Sequence, residues 1–336
     1  MRIILQKSPE RIKFYETNTC KLDVGTTLVN ETICFFQNVS HLIISNESDM
    51  KNLKFVRCEK LQHLELWNDF FQFIKKGSLP INLTTLILGN NFNCPIEKDV
   101  LPVNLTELTF GKSFDQPIET GVLPINLTEL TFGMYFDQPI ENGVLPNNLS
   151  KLTFGECFNQ PLKKGMLPEN LLNLTFGECF NPSGLLPIEK DVLPINLTKL
   201  KFGFTFNQQI GRDVLPKSLT KLTFGKKYNQ PIEKDVLPIN LRILKFGTMF
   251  NQPIIKDSLP INLIKLRFGY KFYSLGLLSK ITDVLPISLK TLEFGYNCYY
   301  EINKNALMEK LTKLMVDGCF DKIFDDKKNQ RVSIVR

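Results

Sequence analysis

The sequence predicts a repeat solenoid: stacked short rungs, with a parallel β-sheet along the concave side and irregular turns opposite. Two observations carry the prediction. Ten Leu-Pro pairs in one register begin at Leu79, Leu101, Leu123, Leu145, Leu167, Leu193, Leu215, Leu237, Leu259 and Leu285; seven of the nine intervals are 22 residues and two are 26. Around each pair one phrase returns, as in FDQPIETGVLPINLTELTFG at 114–133 and FDQPIENGVLPNNLSKLTFG at 136–155. A fixed period of roughly 20–30 residues marks a stacked array. One such unit is too short to cover its own apolar face, so its neighbours must cover it.

The unit reads L-P-x-N/S-L-x-x-L-x-F-G-x-x-F-N/D-Q-P-I-x-x-x-V. In LTELTFG, Leu130 and Phe132 alternate with Glu129 and Thr131. Period two predicts a short strand with the apolar pair inward. Gly closes that strand in all ten copies, from Gly89 to Gly295, which implies either a positive φ or a close backbone approach. The second half carries Pro at fixed points and is read as extended chain and turns. Both 26-residue intervals take their extra four residues after the aromatic position, PSGL at 182–185 and SLGL at 274–277. Insertions of one size at one point suggest a loop on one face.

The period outlives the Leu-Pro mark. LQHLELWNDF at 61–70 aligns with LTTLILGNNF at 83–92, VSHLIIS at 39–45 fits one step earlier, and CKL at 20–22 fits weakly. LTKLMVDGCF at 311–320 continues the array at the other end. The expected organisation is a cap or degenerate repeat at 1–34, a solenoid of about twelve to thirteen rungs at 35–320, and a polar tail at 321–336.

Composition agrees with a folded chain: 43% hydrophobic and 22% charged, with 27 Phe but one Trp and two His. No apolar run approaches the ~20 residues of a membrane span. MRIILQKSPERIKFYE does not have the form of a secretory leader, so reduced cysteines, a cytoplasmic setting (nucleus as alternative) and no membrane partner are expected. None of the eight cysteines forms a CxxC pair.

The L-x-x-L-x-F/L core resembles the leucine-rich repeat. The whole unit, with Phe158-Asn159-Gln160-Pro161-Leu162 or Phe250-Asn251-Gln252-Pro253-Ile254, resembles the FNIP repeat, a 22-residue leucine-rich-repeat-like unit known mainly from social amoebae and giant DNA viruses of amoebae. The resemblance implies a right-handed, leucine-rich-repeat-like β-solenoid or horseshoe, no catalytic residues and no cofactor, with the host cytosol as the setting of a viral member. Local departures are Gln209 for Pro, Tyr228 for Phe, Ser218 and Ser288 for Asn, and Cys298 for the aromatic. Family members often carry an N-terminal F-box, but residues 1–35 lack a Leu-Pro-led helical pattern of that kind.

The repeated Asn (Asn82, Asn104, Asn126, Asn148, Asn170, Asn196, Asn240 and Asn262) often forms a glycosylation sequon. A ladder to backbone groups of neighbouring rungs is the preferred reading. The Asn or Asp after the aromatic (Asn93, Asp115, Asp137, Asn159) predicts a second ladder. His41 and His63 are 22 apart and should stand about 4.8 Å apart on adjacent rungs. They are read as an outward pair, with a metal or pH-sensing role as the alternative. Cys157 and Cys179 are likewise adjacent-rung neighbours, read as free thiols with a disulfide as the alternative.

Hydrolase, P-loop and zincin motifs are missing, and two His give no convincing triad, so an enzyme is not expected. The asymmetry lies in charge. Residues 1–168 hold 16 basic and 18 acidic side chains and residues 169–336 hold 25 and 16, so the net +7 is −2 plus +9. The predicted binding site is a basic patch on the concave sheet: Lys199, Lys201, Lys221, Lys245, Lys265 and Arg267. Its bland reading is a solvated sheet face on which Lys suppresses edge pairing. Phe204, Tyr270 and Tyr296 are candidate contact anchors. The expected function is a monomeric, non-catalytic scaffold for a protein partner. The rivals are polyanion or nucleic-acid binding by the basic half, disfavoured by interleaved Glu189, Asp191, Glu233 and Asp235, and a ubiquitin-ligase substrate receptor docked through the N-terminus.

Overall fold

A rung too short for a helix must satisfy its backbone on the next rung, and that is where the hydrogen bonds run in the computed structural model. It describes residues 12–14, 19–22, 40–44, 59–66, 70–181, 188–272, 281–295, 311–316 and 333–335. The chain divides into two units, residues 1–155 and 156–336. Both four-residue insertions, Tyr296 and Cys298 lie outside the described residues.

The first unit holds β1 (Ile12–Phe14), β2 (Thr19–Leu22), β3 (His41–Ile44), β4 (His63–Leu66), β5 (Thr85–Ile87), β6 (Glu107–Thr109), β7 (Glu129–Thr131) and β8 (Lys151–Thr153). β1 pairs antiparallel with β2. From β2 onward every strand pairs in parallel with the next, placing Cys20, Leu42, Leu64, Leu86, Leu108, Leu130 and Leu152 in one register column.

The second unit holds β9 (Asn173–Thr175), β10 (Lys199–Lys201), β11 (Lys221–Thr223), β12 (Ile243–Lys245), β13 (Lys265–Arg267), the one-turn α1 (Ile281–Val284), β14 (Thr291–Phe294), β15 (Lys313–Val316) and β16 (Ser333–Val335). All its neighbouring strands are parallel. Leu174 faces Leu200 and Leu266 faces Leu292, so the two 26-residue intervals absorb their extra residues without shifting the sheet. β16 adds a strand to β15 inside the segment that the sequence reads as a polar tail.

The core of each unit is a set of side-chain columns. The strand leucines are nearly unexposed. Two aromatic columns pack beside them, one at the strand exit and one four residues later. Within a rung the two rings stack face to face, 3.9 Å apart for Phe110 and Phe114 and 3.8 Å for Phe246 and Phe250. Between rungs each column repeats at 5.7 Å for Phe110 and Phe132 and 6.0 Å for Phe250 and Phe272.

Tyr228 stands in the second aromatic column, fully buried, 3.7 Å from the Phe224 ring. Its hydroxyl has no hydrogen-bond partner among the described residues, and burial pushes its pKa far above the ordinary tyrosine value. An unmet buried donor costs about 1–3 kcal/mol. Tyr228→Phe is therefore expected to stabilise the protein by about 1 kcal/mol, read as a higher urea midpoint at unchanged slope. A lower midpoint would show that the hydroxyl is satisfied.

Three polar ladders tie successive rungs. Asn104 Nδ2 donates to Ile81 O at 3.0 Å, Asn126 to Val103 O at 3.0 Å and Asn240 to Lys217 O at 2.9 Å. Ser218 keeps this ladder with a shorter reach, its Oγ 2.6 Å from Ile195 O. After the aromatic, Asp137 N donates to Asp115 Oδ1 at 3.0 Å and Asn229 N to Asn207 Oδ1 at 2.8 Å. The third ladder runs through hydroxyls: Thr106 Oγ1 donates to Thr84 O and Thr128 Oγ1 to Thr106 O, both at 3.1 Å. The Asn and Thr of an NLT triplet thus both serve the stack.

Of the two options for the strand-exit glycine, close approach is the one realised. A Cβ on Gly133 would lie 1.7 Å from Gly111 O, and one on Gly203 1.5 Å from Gly177 O. Positive φ sits in another column, where Gly77, Asp99, Gly121, Gly143, Gly165, Asp191, Asp213, Asp235 and Asp257 all turn left-handed, φ 61–87°. Gly and Asp tolerate that region best.

Candidate interaction face

Alternation along each three-residue strand leaves two columns outward on the sheet, flanking the buried leucine. In the first unit these columns carry His41, His63, Glu65, Glu107, Glu129 and Lys151 among threonines and isoleucines. Lys151 pairs with Glu129 across one rung at 2.7 Å. The two histidine rings stack at 5.2 Å. Burial, and then the His41 charge, holds His63 below the usual histidine range. The described residues include no group of three or more His, Cys, Asp or Glu placed to share a metal ion. Cys157 is half-buried and Cys179 exposed, both as thiols.

In the second unit the six predicted site residues share one sheet face. Lys199 lies directly opposite Lys221, and Lys245 opposite Arg267, while Lys201 and Lys245 flank Thr223. Burial lowers the Lys245 ammonium from its ordinary value, and the charges of Lys265, Lys221 and Arg267 push the same way against Glu293. Like charges directly opposite on a sheet destabilise it.

The patch is not uniform. Glu293, on β14, is the one charged residue counted as buried among those described, and it takes Lys265 Nζ at 2.5 Å and Arg267 Nε at 4.0 Å. The C-terminal pair of the six is therefore held by an internal carboxylate. Lys199, Lys201, Lys221 and Lys245 have no such clamp among the described residues. Register places Glu293 opposite Arg267, a signal present in the sequence columns; its burial is not.

Of the aromatic anchors, Tyr270 is 44% exposed and Phe204 is half-buried, with Lys226 Nζ 5.0 Å and Lys227 Nζ 5.8 Å from the Phe204 ring centre. Sequence reading missed these two lysines, which sit just past the Gly column.

A parallel sheet built from single rungs, with leucines inward and irregular turns returning the chain, defines a leucine-rich-repeat-like solenoid. The FNIP Repeat family matches residues 60–113, 114–157, 158–183, 186–227 and 228–271, and the chain belongs to that family. It is similar to the crystal structure of CroV588, described as a novel circular LRR protein structure, at 36% identity and a TM-score of 0.74. That match covers 89% of this chain and 46% of the other, so the chain spans about half the length of CroV588. No curated protein matches the sequence. No helix among the described residues is long and apolar enough to cross a membrane.

Proposed function

We propose that the protein is a non-catalytic scaffold that binds an acidic protein partner on the cationic sheet face of residues 156–336. The observation that carries this reading is the set of four unclamped lysines, Lys199, Lys201, Lys221 and Lys245, aligned on neighbouring strands. Their mutual repulsion costs the free protein stability, and a carboxylate-bearing surface relieves it while supplying charge-assisted hydrogen bonds. The setting is the cytoplasm, and the array acts as a monomer.

The test is a nuclease-treated pull-down from host-cell lysate with the full chain and with a Lys199→Glu, Lys201→Glu, Lys221→Glu, Lys245→Glu variant. The expected result is a partner recovered by the natural chain and lost from the variant at unchanged melting temperature. Equal recovery by both overturns the reading. A partner released by nuclease instead makes the face a polyanion site.

A further inference from the structure

The residue after each Leu-Pro is exposed, yet in most rungs it is β-branched and apolar. In the second unit Ile239, Ile261 and Ile287 occupy three successive rungs and are 59%, 60% and 81% exposed. Their adjacency is fixed by the polar ladder: Asn262 Nδ2 donates to Ile239 O at 3.1 Å, and Ser288 Oγ reaches Ile261 O. The fold does not require an aliphatic side chain there, because Asn147, Glu169 and Lys217 fill the same column, all exposed.

The surroundings of the stripe are charged. Four residues before each isoleucine stand Asp235, Asp257 and Asp283, all exposed; Lys234 and Lys256 stand beside the first two, and Lys234 Nζ lies 4.0 Å from Asp257 Oδ2. Three residues after stand Arg242, Ile264 and Lys290, the two cations exposed. The isoleucine carbonyls of two of the three rungs already accept ladder bonds, which leaves side chains rather than backbone to be recognised.

We propose that this stripe docks an amphipathic α-helix of a partner protein, lying across the rungs with acidic residues along one edge and basic residues along the other. Rungs repeat at about 4.8 Å and helical turns at about 5.4 Å, so three isoleucines meet three successive turns with a cumulative mismatch of about 1 Å. Apolar residues at i, i+4 and i+7 supply the matching face. The acidic edge meets Arg242 and Lys290, and the basic edge meets the aspartates. The stripe is separate from the lysine face, so either reading stands or falls alone.

In the first unit Ile81, Val103 and Ile125 form a comparable stripe, 68%, 53% and 65% exposed, but the positions three residues later are Thr84, Thr106 and Thr128. It lacks the cationic row and serves as an internal comparison.

The probe is a fluorescein-labelled helical peptide of roughly 15 residues, with Leu on successive turns, Glu along one edge and Lys along the other. It is titrated against the full chain by anisotropy at physiological salt. The expected result is saturable binding weakened at least about tenfold by Ile239→Asn, Ile261→Asn, Ile287→Asn, with the melting temperature kept, as Asn147 in the same column leads one to expect. Ile81→Asn, Val103→Asn, Ile125→Asn leaves the affinity unchanged, and a peptide with Lys on both edges binds more weakly. Absence of peptide binding overturns the proposal, as does equal loss from both triple variants. Isoleucine-dependent binding to phosphatidylserine vesicles without peptide binding overturns it in favour of a lipid surface.

Discussion

Gly225→Ala is expected to cost more than 3 kcal/mol and to melt the adjoining rungs. The added Cβ would lie 1.5 Å from Gly203 O, 2.4 Å from Gly203 C and 3.0 Å from Phe204 N. Those are backbone atoms of the previous rung, fixed by the hydrogen bonds that make the sheet, so no side-chain rotation makes room. Ordinary overpacking costs about 1–3 kcal/mol where side chains can yield. Here relief requires the rungs to part, which breaks ladder bonds and separates the aromatic columns. Gly211→Ala is the matched control: its Cβ meets only Val214 Cγ2, at 3.6 Å, and its φ is not in the left-handed range. That change should fall within about ±0.5 kcal/mol. Guanidinium denaturation of both variants decides the matter, and similar midpoints would refute the close approach.

Phe250→Ala should cost about 3–5 kcal/mol. The ring is wholly buried, 3.8 Å from Phe246 within its rung, with Tyr228 at 6.2 Å and Phe272 at 6.0 Å on either side. Its removal leaves a void that three rungs share, and a one-dimensional stack has no other layer to collapse into it. Phe204→Ala supplies the contrast, because that ring is only half-buried and covered by lysine side chains. A loss below about 1 kcal/mol on urea unfolding of Phe250→Ala would mean that the second aromatic column does not hold the core.

Much of this architecture is legible in the sequence because repetition turns register into arithmetic. His41 and His63, 22 residues apart, stack as adjacent-rung neighbours, and Asn104 reaches the rung before it. The strand-exit glycine announces itself through ten copies, although which of its two uses applies depends on how close the rungs come. Less was legible where function requires knowing which columns face each other. Phe110 and Phe114 are four residues apart, a spacing that does not say their rings stack within one rung. The left-handed column escapes notice because it alternates Gly121 with Asp99 and Asp235, two residue types that share a backbone conformation rather than a side chain. The hydroxyl ladder hides inside a triplet that looks like a glycosylation signal. For the candidate site, the six cations share a face as their column positions suggest, and it is the burial of Glu293 that divides them.

The polar ladders have a direction: each rung gives its Asn donor backward and offers its own carbonyl forward. A whole 22-residue copy inserted anywhere brings one donor and one acceptor of each kind and leaves every bond on either side intact. A gene encoding such a protein can lengthen or shorten by unequal recombination between copies with little penalty to the product. The two departures from the 22-residue length add four residues each between the aromatic column and the next Leu-Pro pair, and neither disturbs the sheet register. The stack thus accommodates a change in repeat number more readily than a change in repeat length, which the chemistry of the neighbouring rungs holds.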